Sequence, residues 1–272
     1  MVGEVHHEQP RDVYLTVRQV GRLLAVAEAH RSAGRRTVST GVYWGLWWIA
    51  LTGQRKGAAT EIRKANILPD AEAEGWHVAY FTAEEMKGTR DHALPFPPAL
   101  YHVVEQAMQE AEDGLYPNRK AAQARPPSAF LFPAVTTKSR VTGQPHDRAI
   151  AESAINQWIT RLRNMEPDPL QGLPKFTLHD IRRSLTTALG DAGLPGICAS
   201  AILAHSGGSN DSRGWRAGDD AQQGAAITRR VYDASQLLPQ KRQGMDYWVN
   251  AVLDAYQDEK QRILMARYVE DD

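Results

Sequence analysis

Apolar positions recur at helical spacing along most of the chain. Val17, Val20, Leu23, Leu24 and Ala27 share one face of a helix that Thr16 is placed to cap and that runs to about His30, with arginines on its other face. Val42 to Thr52 is apolar almost all round and carries Trp44, Trp47 and Trp48, which predicts a central buried helix ended or bent by Gly53. The pattern changes between Asn66 and Phe96. Two short β-like runs, Trp76 to Phe81 and His92 to Phe96, flank a polar tip at Lys87 to Asp91, which predicts a small sheet with a hairpin. Pro97 and Pro98 then open a helix through about Glu112, followed by a Pro, Arg, Lys and Ala-rich loop from Leu115 to Ser128.

Helical spacing returns over Asp147 to Arg163 and is broken by Pro167 to Pro174. A helix from Leu178 to about Gly193 and a short one from Gly196 to Leu203 lead into His205. Ser206 to Gly224 is dense in Gly, Ser, Asn and Asp and reads as a solvent loop. A final helix runs from about Pro239 to Tyr256 or beyond, with Met245, Trp248, Val249, Val252 and Leu253 on one stripe. The expected fold is mainly α with a small antiparallel β-sheet, an α+β class.

Composition narrows this picture only slightly. The 272 residues suffice for one sizeable core. The single cysteine, Cys198, has no internal partner, and no Cys/His cluster offers a metal site, which suits a reducing compartment. The first ten residues lack the apolar core of a secretory signal, and Val42 to Leu51 is about half the roughly 20 residues needed to span a bilayer. The expectation is a cytoplasmic protein without a membrane partner. Lys plus Arg and Asp plus Glu balance at 32 each, so a basic total does not point to nucleic acid. Charge is nevertheless uneven: Arg11, Arg18, Arg22, Arg31, Arg35 and Arg36 crowd the first segment, and acidic residues weight the end.

The candidate chemistry lies in five separate segments. Phe176 to Leu185 places His179 and Arg182 one turn apart at a helix start, where an imidazole, a guanidinium and free amides together suit an anion such as a phosphate. Arg55 follows the apolar helix, Lys87 sits at the hairpin tip, His205 directly follows a helix, and Tyr232 lies in Ile227 to Ser235. Taken singly, each has an ordinary reading. Arg55 can cap its helix, Lys87 can be a solvated turn lysine, His205 can donate at a helix end, and Tyr232 can be a core residue.

In this order, Arg55, Lys87, His179 with Arg182, His205 and Tyr232 resemble the catalytic series of the tyrosine recombinases, or phage integrases, over roughly residues 11 to 258. The stretch from Val231 to Trp248 is similar to the end of such integrases, which favours Tyr232 over Tyr247. The resemblance implies the tyrosine recombinase catalytic-domain fold and an enzyme that cuts and rejoins double-stranded DNA through a 3′-phosphotyrosyl intermediate. Tyr232 would be the nucleophile, with Arg55 and Arg182 holding the non-bridging oxygens. Lys87 would protonate the leaving 5′ oxygen, His179 would move the tyrosine proton, and His205 would bond the scissile phosphate. No metal, ATP or other cofactor is implied, because arginine charge supplies what Mg²⁺ supplies elsewhere. The implied partners are DNA, three further copies in a tetramer across two sites, and an accessory DNA-bending protein.

Four departures from the pattern stand out. Where the family carries an acid three positions after the first arginine, this chain has Ala58, with Glu61 one turn later as the candidate substitute. Ala204 replaces the glycine before the second histidine, and the stretch from His205 to Tyr232 is longer than in many relatives. Little precedes Arg11 where relatives carry a helical core-binding domain. The expected organisation is therefore residues 1–12 as a tail or linker remnant, 13–258 as the catalytic domain and 259–272 as an acidic tail. The alternative expectation is a catalytically weak or inactive DNA-binding remnant of a truncated integrase.

Overall fold

The computed structural model describes residues 13–32, 37–86, 90–113, 127–135, 143, 146–204 and 236–270, the last four as backbone only. The first helix, α1 (Val17–Ala29), starts with a capping box: the Thr16 hydroxyl accepts from the Gln19 amide, and the Gln19 side chain accepts from the Thr16 amide. Helix α2 (Thr40–Thr52) is the buried axis of the molecule, as its all-round apolar pattern predicts. It ends at Gly53, whose φ of 61° is left-handed and whose missing side chain leaves room for Leu185.

After α3 (Lys56–Glu61) and a 3-10 turn (Lys64–Asn66) come three strands, β1 (Ile67–Pro69), β2 (His77–Phe81) and β3 (His92–Phe96). They form one antiparallel sheet in the order β1-β2-β3, with Val78 opposite Leu68 on one side and Pro95 on the other. The two runs expected as strands are strands. The third, β1, carries no alternation long enough to announce it. Helix α4 (Pro98–Asp113) follows, and Trp48 of α2 meets Phe96 of β3 edge to face at 5.6 Å.

Helix α5 (Ala154–Arg163) begins later than its apolar spacing predicts. Residues 147–150 instead run extended: Ala149 bridges Pro133, and the Ile150 amide donates to Phe132 O at 3.0 Å. Ile150 is buried through that pairing and not through a helix face. Helices α6 (Asp180–Asp191) and α7 (Gly196–Ile202) lie where expected. The last helix, α8 (Leu238–Glu270), continues through residues that charge alone had assigned to an acidic tail. Its Met245, Trp248, Val249 and Val252 are fully buried, and Trp248 Nε1 donates to Ala50 O of α2 at 3.1 Å.

Helices α1 and α8 pack closely enough that a side chain on Gly21 would meet the Ala255 and Tyr256 backbone at 2.5 Å. Tyr256 and Lys260 of α8 both bond Glu28 of α1. The fold is thus mostly helical around α2 and α8, with the small sheet against one side. Among the described residues, no helix is long and apolar enough to cross a membrane.

Among the described residues, Arg18, Arg22 and Arg31 of the first segment are engaged within the chain. Arg18 Nε donates to Glu259 at 2.7 Å, Arg22 Nη2 to Gln171 O at 2.8 Å, and Arg31 lies over the Tyr43 ring while pairing with Glu110. Arg11, Arg35 and Arg36 lie outside the described residues.

Candidate active site

Arg55, His179 and Arg182 line one cleft of about 250 Å³, although they are distant along the chain. Four chain segments converge there: the α2–α3 junction with Arg55, the turn after β2 with Glu85 and Met86, Glu152 just before α5, and the start of α6.

Arg182 is the buried member, with 4 % of its surface exposed. Its Nη1 donates to Gly53 O at 2.7 Å and its Nη2 to Leu203 O at 2.8 Å. These carbonyls belong to the residues that cap the C-terminal ends of α2 and α7, where each helix dipole is negative, so the cation is stabilised without a carboxylate. A guanidinium has five N–H groups, and two bonds leave others for a ligand in the cleft. Burial, and then the Arg55 charge, pull the Arg182 pKa down to about 10, so it remains cationic at neutral pH. The end of α2, which Arg55 could have capped on its ordinary reading, is instead capped by Arg182. Gln54, 1 % exposed, reinforces the same junction by donating from Nε2 to Ile202 O at 2.9 Å and Thr52 O at 3.2 Å.

Arg55 is exposed and sits just before α3, with its Nη1 donating to Met86 O at 3.1 Å. Ala58 is buried against the cleft, while Glu61 is exposed and does not line it, so Glu61 does not replace the missing acid. The brace on Arg55 is the Met86 carbonyl. The turn bearing Met86 is itself held: Glu85 accepts from the Thr82 amide at 2.7 Å and hydroxyl at 3.1 Å, while Asp91 accepts from the Ala83 amide at 2.9 Å and from the Tyr80 hydroxyl. Two carboxylates, Glu85 and Glu152, also line the cleft, and Glu152 pairs with Lys56 at 3.5 Å.

His179 occupies the N-cap position of α6, exposed to the cleft. Partial burial, then the Arg182 charge, lower its pKa and favour the neutral imidazole at pH 7. The approach to it is fixed by Arg163, which donates to the carbonyls of Leu170, Leu173 and Pro174. Asp180 turns back to accept from the Thr177 amide at 2.7 Å and hydroxyl at 2.9 Å. The amides of Asp180 and Arg182 donate to Thr177 O and His179 O, so the helix start has fewer free donors than expected. Lys87, His205 and Tyr232 lie outside the described residues. Tyr247 is 38 % exposed on α8 and does not line the cleft.

Sequence reasoning missed His92 and Lys241, both nearly fully buried behind the arginines. Burial, then Lys241 and Arg182, hold His92 well below the usual imidazole range, and burial pulls Lys241 down to about 7. Neither carries a sequence signal, because His92 looks like any strand residue and Lys241 joins Arg242 in an apparently solvated basic pair. Among the described residues, no group of three or more His, Cys, Asp or Glu could hold a metal ion.

The model of the family described as "Phage integrase family" matches residues 13–211. No curated protein matches the chain. Two solved structures of XerH site-specific recombinase are similar to it, one bound to difH substrate as a pre-cleavage complex and one bound to palindromic difH substrate as a post-cleavage complex. Identities are 16 % and 14 %, covering 71 % and 72 % of this chain, each with a TM-score of 0.48. The chain spans about half of each, 47 % of their length.

Proposed function

This chain belongs to the phage integrase family, and on that premise we propose that it cuts and rejoins double-stranded DNA through a covalent bond between Tyr232 and a 3′ phosphate. The observation that carries the reading is the cleft in which Arg55, Arg182 and His179, contributed by two separate segments, face one volume.

A phosphodiester seated there has its non-bridging oxygens between two guanidinium groups, whose charge counters the charge that builds on those oxygens in the transition state. The Tyr232 oxygen attacks phosphorus, the bond to the 5′ oxygen breaks, and the phenol proton passes to neutral His179. Lys87 returns a proton to the departing 5′ oxygen, and His205 bonds a phosphate oxygen. Religation is the same sequence run backwards by an incoming 5′ hydroxyl. Phosphate-bond energy is kept in the phosphotyrosyl link. Four copies across two DNA sites, with a DNA-bending accessory protein, form the working assembly.

Arg55 is held despite Ala58, since Met86 O takes the bracing role, which supports activity over a binding-only remnant. Incubation with a pool of nicked duplexes of randomised sequence tests the proposal. An adduct that resists SDS and yields to protease is expected from the wild type and not from Tyr232→Phe. Binding without adduct in the wild type would favour the remnant.

A further inference from the structure

β3 is an outer strand of the sheet, so one row of its backbone groups faces away from β2. Such an edge, when buried, needs partners for its amides and carbonyls. Here they come from two side chains. The Ala93 amide donates to Gln236 Oε1 at 3.2 Å, and the Ala93 carbonyl accepts from Lys241 Nζ at 2.6 Å. Gln236 Nε2 donates to Asp91 O at 3.3 Å, and Lys241 Nζ donates to Gln236 Oε1 at 3.2 Å. Lys241 Nζ also lies 3.4 Å from His92 Nδ1. Between the two, Leu237 has a φ of 53°, a left-handed conformation that a bulky side chain adopts only under constraint. That turn brings Gln236 and the first turn of α8 onto the same strand.

Sealing an edge does not require this arrangement. A buried amine whose partners are all neutral is costly, and a neutral donor such as an amide would pair the Ala93 carbonyl at less expense to stability. The position of the clasp gives it a different use. Gln236 follows Tyr232 by four residues, which even a fully extended chain spans in no more than about 14 Å. On the other side of the clasp, His92 feels the charges of Lys241, Arg182 and Arg55, so the anchor adjoins the arginine cleft.

We propose that Gln236 and Lys241 clasp the free edge of β3 and thereby bound the distance from the Tyr232 segment to Arg55 and Arg182, making both of them positioning residues for strand cleavage. This rests on Tyr232 being the nucleophile. The clasp acts through geometry alone: it fixes Gln236, four residues after Tyr232 in the sequence, on β3.

The test compares Lys241→Met and Gln236→Leu with the wild type on the same pool of nicked duplexes, reading DNA affinity and the single-turnover rate of adduct formation separately. The expected result at saturating DNA is a rate lower by on the order of tenfold to a hundredfold, the cost of a small misplacement of a reacting group, with affinity unchanged. Gln236→Glu keeps the acceptor oxygen for Ala93 and Lys241 but loses the donor to Asp91 O, and is expected to fall between the wild type and Gln236→Leu. If Lys241→Met does not fold, the half-buried Gln236 variants decide alone. Variants that melt earlier and bind DNA less tightly, yet reach the wild-type rate at saturation, would show a merely structural clasp and overturn the proposal. A wild type that forms no adduct, or an adduct that survives Tyr232→Phe, overturns the cleavage reading and this inference with it. Full-rate clasp variants alongside a dead Tyr232→Phe overturn the clasp alone.

Discussion

Arg55 and Arg182 differ in a way that separates chemistry from stability. Arg55 is exposed and makes one bond to Met86 O, whereas Arg182 is buried and satisfies the ends of two helices. A lysine cannot span both carbonyls with a planar fork. Arg182→Lys is therefore expected to lose about 1–3 kcal/mol in denaturant unfolding, the cost of a buried carbonyl left unpaired, as well as cleavage. Arg55→Lys is expected to lose cleavage with stability within about 0.5 kcal/mol of the wild type. Equal destabilisation by the two would contradict the assignment of Arg182 to the helix ends. Lys241 gives a pH signature. Its folded pKa of about 7 lies below its ordinary value of 10.5, so between those limits the unfolded chain holds a proton that the folded chain lacks. Stability should consequently rise with pH across that window, and Lys241→Met should remove this part of the rise when unfolding is compared at several pH values. The residue types of the cleft were legible because their chemistry recurs at fixed order along the chain. Lys241 and Gln236 were not, since their role comes from a strand edge far away in sequence.

At the scale of elements, periodicity located every long helix among the described residues because burial of a continuous stripe leaves a regular trace. It failed where burial came from pairing instead. Residues 147–150 carry apolar positions that fit a helix, but Ile150 is buried by an extended pairing with the Phe132 segment, and α5 starts only at Ala154. β1 was invisible for the opposite reason: three residues, one of them proline, are too few to alternate. The contact between α1 and α8 was equally hidden. It depends on Gly21, where an added methyl would meet α8 backbone at 2.5 Å and neither helix could yield without disturbing the Arg18–Glu259 and Glu28–Lys260 pairs. Gly21→Ala is expected to cost about 1–3 kcal/mol in thermal or denaturant unfolding. An unchanged melting temperature would mean that the two helices are not this close.

Seen as a whole, the molecule brings its basic first segment and its acidic end together through Arg18 and Glu259. The uneven charge visible in the sequence is thus partly spent on internal pairing between α1 and α8. The apolar stripe of α8 is buried on its own chain through Met245, Trp248, Val249 and Val252, which makes this helix part of the core that frames the cleft. The same helix begins at the clasp on β3, so core and sheet edge form one mechanical path. The central claim is that the phenol of Tyr232 reaches the phosphate held by Arg55 and Arg182. It is tested most directly by digesting the covalent adduct with trypsin and nuclease and locating the attached nucleotide by mass spectrometry. The account predicts the phosphodiester remnant on Tyr232, in the peptide of residues 231–241. A remnant on Tyr247, or on any serine, would contradict it.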